Sequence, residues 1–345
     1  MIVKNEEAVL SRALKTAIIY ADEIIVVDTG STDKTVNVAL SFTPNVFYFS
    51  WRDDFSAARN FAFEAATGDY VMWLDADDVI KSEEAEKIKK LKESADKDIY
   101  MFSYAMGFNE NNEPTFSFFR ERMIKKGLYF CGFVHEAVPL IGKVEMVEIT
   151  VEHRKEGDKP SGKRNLGLYR KALKRGVKFC GRDYFYYSRE LYFNGYYKKC
   201  LKVLKLGYPL IFSEWERVAA KIISARALIA LGEYKKAFNR LIEGLSTLNP
   251  TPEYLFYIGF SARRAKIKSA EFFFKACFFA EEESFGFSDK KYSFYYPALE
   301  LCSLYFESGE KEKSLEYHKK LVEKFPNEKE VMFNEIFFAR LENNA

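Results

Sequence analysis

Three carboxylates within four residues, Asp75, Asp77 and Asp78, follow directly on the apolar run Tyr70-Val71-Met72-Trp73-Leu74. At the end of a buried strand such groups repel one another, and their charge is costly unless a cation neutralises it. Mg²⁺ or Mn²⁺ suits oxygen ligands of this kind and would bridge to substrate phosphates. The plainer alternative is a solvated acidic turn leading into a helix from Lys81.

Other clusters also stand where short apolar runs end. Asp28-Thr29-Gly30-Ser31-Thr32-Asp33 closes the run Ile24 to Val27. Gly30 permits a tight turn there, and Ser31 or Thr32 can cap the next helix. Asp28 can accept a hydrogen bond from the imide of a uracil or from a ribose hydroxyl, although the same residues also make an ordinary capped turn. Trp51 to Asn60 opens a helix and carries Arg59, which could reach a pyrophosphate, hold an acidic loop, or pair with Asp53 or Asp54. Val3-Lys4-Asn5-Glu6-Glu7 joins the first apolar run to its helix. Two of the three histidines, His135 and His153, fall near expected strand ends, and His135 is followed by Glu136.

The elements that must position these groups alternate. Ile24 to Val27, Val46 to Phe49 and Tyr70 to Leu74 read as short buried parallel strands. Between them, Glu7 to Ile19 places Leu10, Ala13, Leu14, Ala17 and Ile18 on one helical face, and Ser56 to Ala66 is a second helix. Strand–helix alternation of this kind predicts a mostly parallel α/β sheet covered on both faces, with ligands at the carboxyl ends of its strands. The first strand, Met1-Ile2-Val3, is unusually short or truncated.

From about residue 163 the period becomes helical and a motif recurs. Gly195-Tyr-Tyr-Lys-Lys-Cys200 returns as Gly232 to Ala237, then more weakly as Ala265 to Ala270 and Gly309 to Ser314, at offsets of 37, 33 and 44 residues. The last offset contains an insertion near Glu283 to Lys290. Helix–turn–helix units near 34 residues resemble tetratricopeptide repeats, and four such units are expected. The domains are therefore placed at 1–160 and 161–345.

Composition bounds the function. The formal net charge of +3 does not call for a nucleic-acid partner. The five cysteines are scattered and never in a CxxC spacing, which reads as a reducing, cytoplasmic setting without disulfides. No apolar run approaches the roughly 20 residues of a membrane span.

Met1-Ile-Val-Lys-Asn-Glu-Glu7, Val27 to Asp33, Phe55-Ser-Ala-Ala-Arg-Asn60, Gly68-Asp69, Leu74-Asp-Ala-Asp-Asp78, Gly132-Phe-Val-His-Glu136 and Glu152-His153, in this order, resemble the family-two glycosyltransferases of GT-A fold that carry C-terminal tetratricopeptide repeats. The resemblance implies that Val3 and Glu6 lie beside the nucleotide base and that Asp28 contacts uracil or ribose. Arg59 and Asp75 would support the nucleotide. Asp77 would ligate Mn²⁺ or Mg²⁺, completed by His153, while Asp78 is the most dispensable of the three. Glu136 falls at the family's acidic base, and Arg122 could neutralise the leaving diphosphate. The implied reaction is inverting transfer from a nucleotide-diphosphate sugar, with a UDP-sugar favoured, to a protein or peptide or a cell-surface glycan. The repeats would hold the acceptor or a second copy. Two other readings compete. One is a non-catalytic nucleotide-binding scaffold. The other is a nucleotidyltransferase, whose usual Gly-rich phosphate loop is not what Lys4-Asn5-Glu6-Glu7 offers.

Overall fold

The computed structural model describes residues 1–108, 112, 114–154, 163–281 and 289–342. They form two compact units, Met1–Lys178 and a second beginning at Phe179. The boundary expected at 160/161 lies outside the described residues.

The first unit opens with β1 (Ile2–Val3), α1 (Leu10–Tyr20), β2 (Val26–Asp28), α2 (Thr35–Leu40) and β3 (Val46–Tyr48). The three strands form a parallel sheet in the order β1-β2-β3, with Val3 level with Asp28. The parallel expectation holds here, and β1 is indeed only two residues long. One residue of the predicted α1 face departs. Leu10, Ala13, Leu14 and Ala17 are buried, whereas Ile18 is exposed. Ser31 and Thr32 do not cap α2, which starts after Lys34 without a side-chain cap. Ser31 Oγ instead accepts from Asn5 N–H and Thr32 N–H donates to Asn5 Oδ1, tying the two strand-end loops together.

The chain continues through α3 (Phe55–Ala65), β4 (Tyr70–Met72), β5 (Asp78–Val79), α4 (Ser82–Glu93), β6 (Ile99–Phe108), β7 (Pro114–Lys125), β8 (Val144–His153) and α5 (Arg164–Lys174). A second sheet has the order β4-β7-β6-β8-β5. Only β6 and β8 run parallel in it, so the strand read at Tyr70 to Leu74 pairs antiparallel, with β7. The long β6–β7 hairpin gives no alternating signal because β6 is buried on both sides. Tyr100, Phe102 and Tyr104 pack with α1 and α4, while Ile99 and Met101 pack with Phe63 and Trp73.

The second unit is helical: α6 (Gly181–Phe193), α7 (Tyr197–Gly207), α8 (Glu214–Ala230), α9 (Tyr234–Ile242), α10 (Pro252–Arg264), α11 (Ala270–Ala276), α12 (Tyr295–Glu307), α13 (Lys311–Lys324) and α14 (Lys329–Glu342). The pairs α6/α7, α8/α9, α10/α11 and α12/α13 are the four expected units. Each first helix ends in the same backbone bond, from Tyr196, Glu233, Ile267 and Glu310 N–H to Leu191, Leu228, Ala262 and Tyr305 O. The residue before each donor is left-handed: Gly195, Gly232, Lys266 and Gly309. The third turn therefore pivots on Lys266, one position beyond the Ala265 expected from the repeat. The small residues Cys200, Ala237, Ala270 and Ser314 are buried where paired helices meet. The insertion expected near Glu283 to Lys290 falls mainly on residues 282–288, outside the described residues. No helix among the described residues is long and apolar enough to cross a membrane.

Candidate active site

The acidic turn is held from two sides. β5 pairs antiparallel with β8 so that Asp78 stands opposite His153, and Arg154 N–H donates to Asp77 O at 2.9 Å. This register brings ligand atoms of Asp77, Asp78 and His153 within 4.8 Å of one another. His153 Nδ1 is 3.4 Å from Oδ1 of both Asp77 and Asp78.

The carboxylates differ in environment. Burial raises the Asp77 pKa; His153 opposes that, and Asp75 and Asp78 add to it. Burial would also raise that of Asp78, but the Arg122 charge and hydrogen bonds from His153, the Asp75 backbone and Tyr104 carry it well below the usual carboxylate range. For His153, burial favours the neutral ring, yet the bond to Asp78 and the charges of Asp77, Asp78 and Asp75 prevail and raise its pKa. A carboxylate and an imidazole at this spacing suit a divalent cation that takes oxygen and nitrogen ligands, as Mn²⁺ does and Mg²⁺ does less readily.

Arg59 joins the turn to a second segment. Its Nη2 donates to Asp75 Oδ1 and its Nε to Glu136 Oε1, both at 2.7 Å. It therefore holds an acidic loop, and the alternative pairings with Asp53 and Asp54 do not occur. Asp54 caps α3 by accepting from Ala57 N–H, and Asp53 pairs with Lys171 and Arg175 of α5. The start of α3 is stitched to the Glu136 segment through Ser56 Oγ to Gly132 O and Phe55 N–H to Phe133 O. Asn60 adds two bonds to the Phe130 backbone. Gly132 and His135 both have positive φ in the turn closed by the Cys131–Ala137 bridge. Gly132 adopts that conformation without the strain a side chain would bring.

The remaining predicted residues divide. Asp28 is buried, and its carboxylate accepts from the Gly30 and Ser31 N–H groups. The Val3 side chain lies in the apolar core with Leu10, Leu14 and Val26, so it is withdrawn from any ligand, and its carbonyl accepts from Thr29. Glu6 N–H donates to Thr35 Oγ1. Ala76 packs in the same core as Val3, so the β1–β2 loops and the acidic turn share a wall. Arg122 does not open toward a diphosphate. It has no exposed surface, pairs with Asp78 at 2.8 Å, and lies 3.7 Å from the Trp73 ring centre.

Sequence reasoning missed Tyr104, whose hydroxyl donates to Asp78 Oδ1 at 2.9 Å. It also missed Trp73 as the ring over which Arg59, Arg120 and Arg122 gather. Arg59 lies inside the Phe55 to Asn60 motif and Arg122 ten residues before Gly132, but an aromatic platform under them leaves no spacing signature.

Strand-end acidic loops on an α/β sheet, a carboxylate–histidine cluster and an arginine-held glutamate thus come together in the N-terminal unit. Residues 1–138 match the family described as Glycosyl transferase family 2. Among curated relatives, a TPR repeat-containing protein of Synechococcus elongatus is 47% identical over 78 residues, covering 23% of this chain and 19% of that one. The SPbeta prophage-derived glycosyltransferase SunS of Bacillus subtilis is 38% identical over 93 residues, covering 26% and 22%. The chain thus spans about a fifth of the length of these relatives. The structure of S. aureus TarS 1-349 in complex with UDP-GlcNAc aligns over 94% of this chain and 90% of that one, with 10% identity and a TM-score of 0.37, too low a likeness to bear on the site.

Proposed function

We propose that the chain is a divalent-cation-dependent, inverting glycosyltransferase that moves a sugar from a nucleoside-diphosphate donor, UDP-linked by preference. The acceptor is a protein or peptide or a cell-surface glycan. The observation that carries this reading is the joining of Asp77 and His153 to Glu136 through Asp75 and Arg59.

Asp77 and His153 are the residues that would hold Mn²⁺ or Mg²⁺, which when bound supplies positive charge against the departing diphosphate. Asp28 and Glu6, at the ends of the first two strands, receive the base and ribose, with Val3 contributing backbone alone. Arg59 holds Asp75 and Glu136 at fixed positions and adds positive charge beside the diphosphate. Glu136 accepts from Arg59 Nε–H through Oε1 and uses Oε2 to take the proton of the acceptor hydroxyl. The acceptor oxygen bonds to the anomeric carbon as its bond to the diphosphate oxygen breaks on the opposite face. One such displacement inverts the anomeric configuration. The repeats present the acceptor, or pair with a second copy.

The test is a nucleotide-sugar panel with Mn²⁺, scored by binding, slow hydrolysis and transfer. Asp77→Ala and Glu136→Gln are each expected to lose turnover while remaining folded. Activity undiminished by EDTA would remove the cation role, and near-normal turnover in Glu136→Gln would remove the base. Nucleotide binding without any turnover would favour the scaffold reading.

A further inference from the structure

We infer that the buried Asp78–Arg122 pair is the positioning element of the cation site: Asp78 aims the His153 ring and braces the Asp75–Asp77 turn, and is not itself a ligand. The inference rests on the proposal that Asp77 and His153 hold the cation.

Asp78 is the most enclosed of the acidic residues, with no exposed surface. Its Oδ2 accepts from Arg122 Nη1 at 2.8 Å and from Asp75 N–H at 3.0 Å. Its Oδ1 accepts from Tyr104 at 2.9 Å and faces His153 Nδ1 at 3.4 Å. A carboxylate has about four lone-pair sites, and these contacts take them all. A cation bound to Asp78 would have to displace one of those donors beside the Arg122 charge. The three-residue cluster therefore offers two ligands, Asp77 and His153.

The contact at Nδ1 then acquires a purpose. Nδ1 lies 3.4 Å from Oδ1 of both Asp77 and Asp78. With Nδ1–H directed to Asp78, Nε2 is the nitrogen whose lone pair is left for a cation, and the ring orientation is set. A carboxylate behind a ligating histidine acts in this way at metal sites generally. Through Asp75 N–H, the same carboxylate closes the turn that carries Asp77.

The arrangement is a poor way to gain stability. Arg122 Nε and Nη2 are buried with no hydrogen-bond partner among the described residues. The guanidinium is covered instead by the rings of Trp73 at 3.7 Å and Tyr104 at 4.3 Å. A buried ion pair is often no more stabilising than apolar residues of similar volume, and orphaned buried donors add a cost. A pair kept on these terms fits a role in geometry.

The experiment measures Mn²⁺ affinity by EPR, with UDP present, alongside the ¹⁴N coupling a histidine ligand imparts to Mn²⁺. Unfolding temperature and metal-free UDP affinity serve as controls. If the wild-type protein binds no Mn²⁺, the underlying proposal fails and the brace falls with it. Given wild-type binding, the double variant Asp78→Asn/Arg122→Met, which leaves no orphan charge, is expected to bind Mn²⁺ roughly 10–100-fold more weakly. It should lose the ¹⁴N coupling while its metal-free UDP affinity stays unchanged. Tyr104→Phe deletes a single hydroxyl, keeps the inference testable if the double variant does not fold, and is expected to weaken Mn²⁺ roughly fivefold. Wild-type Mn²⁺ affinity in whichever variants fold would overturn the inference. So would a loss in the double variant equal to that of Asp77→Ala with the ¹⁴N coupling retained, because Asp78 would then be a direct ligand.

Discussion

Arg59 is buried and bonded through different nitrogens to two carboxylates on separate segments. That geometry requires a planar, forked cation, which a lysine cannot reproduce. Arg59→Lys is therefore expected to lose one of the two bonds and about 1–3 kcal/mol of stability, measurable by urea unfolding. Turnover should fall further than stability implies, because Asp75 and Glu136 lose their common anchor. A variant with wild-type turnover would show that the bridge is not needed for catalysis. That Asp77 and His153 come together, and that Glu136 is tied to Asp75 through Arg59, could be anticipated because charged types at strand ends are informative without a structure. The partners of Asp78 were not legible: Tyr104 and Arg122 stand 26 and 44 residues away, and no local spacing records them.

At the scale of elements, legibility followed periodicity. The first parallel strands and the paired helices were readable because apolar positions recur at fixed intervals. The β6–β7 hairpin was not, because a strand buried on both faces lacks alternation, and that omission hid the platform carrying Arg122. The repeat turns show a subtler limit. Sequence alignment put the third pivot at Ala265, whereas the shared backbone bond places it at Lys266, with φ of 59°. A non-glycine residue in this conformation costs free energy that glycine avoids. Lys266→Gly is expected to stabilise the chain by about 0.5–1 kcal/mol, read as a raised denaturation midpoint with an unchanged slope. Gly232→Ala, at the equivalent turn, should shift the midpoint the other way. If both substitutions left it unmoved, the third turn would not share the geometry of the second.

For the molecule as a whole, stability should depend on pH through groups in the helical unit. Burial pushes the Glu253 carboxyl up from 4.5 to about 7; Arg226 and Arg189 oppose the shift and Asp289 reinforces it. Arg226 lies 3.7 Å away. Burial likewise raises Glu216, against the pull of Arg182. A carboxyl whose folded pKa is raised retains its proton on folding, so its contribution is fully present below about 4.5 and is lost as pH rises through about 7. His318 works in the other direction. Burial lowers its pKa, so it contributes stability above 6.5 that declines as pH falls below that value. These two trends overlap in the mildly acidic range, and Glu253 can be isolated by substitution. Glu253→Gln is expected to be nearly neutral at pH 5, where the native carboxyl already carries its proton. At pH 8 the variant should be the more stable by about 1–2 kcal/mol. One pKa unit is worth about 1.4 kcal/mol, discounted here because a fifth of the side chain is exposed. Urea unfolding of both proteins at the two pH values measures the difference directly. An equal effect at pH 5 and pH 8 would mean that Glu253 titrates normally in the folded chain, and that its burial among Arg226, Tyr257 and Tyr292 is too open to hold the proton.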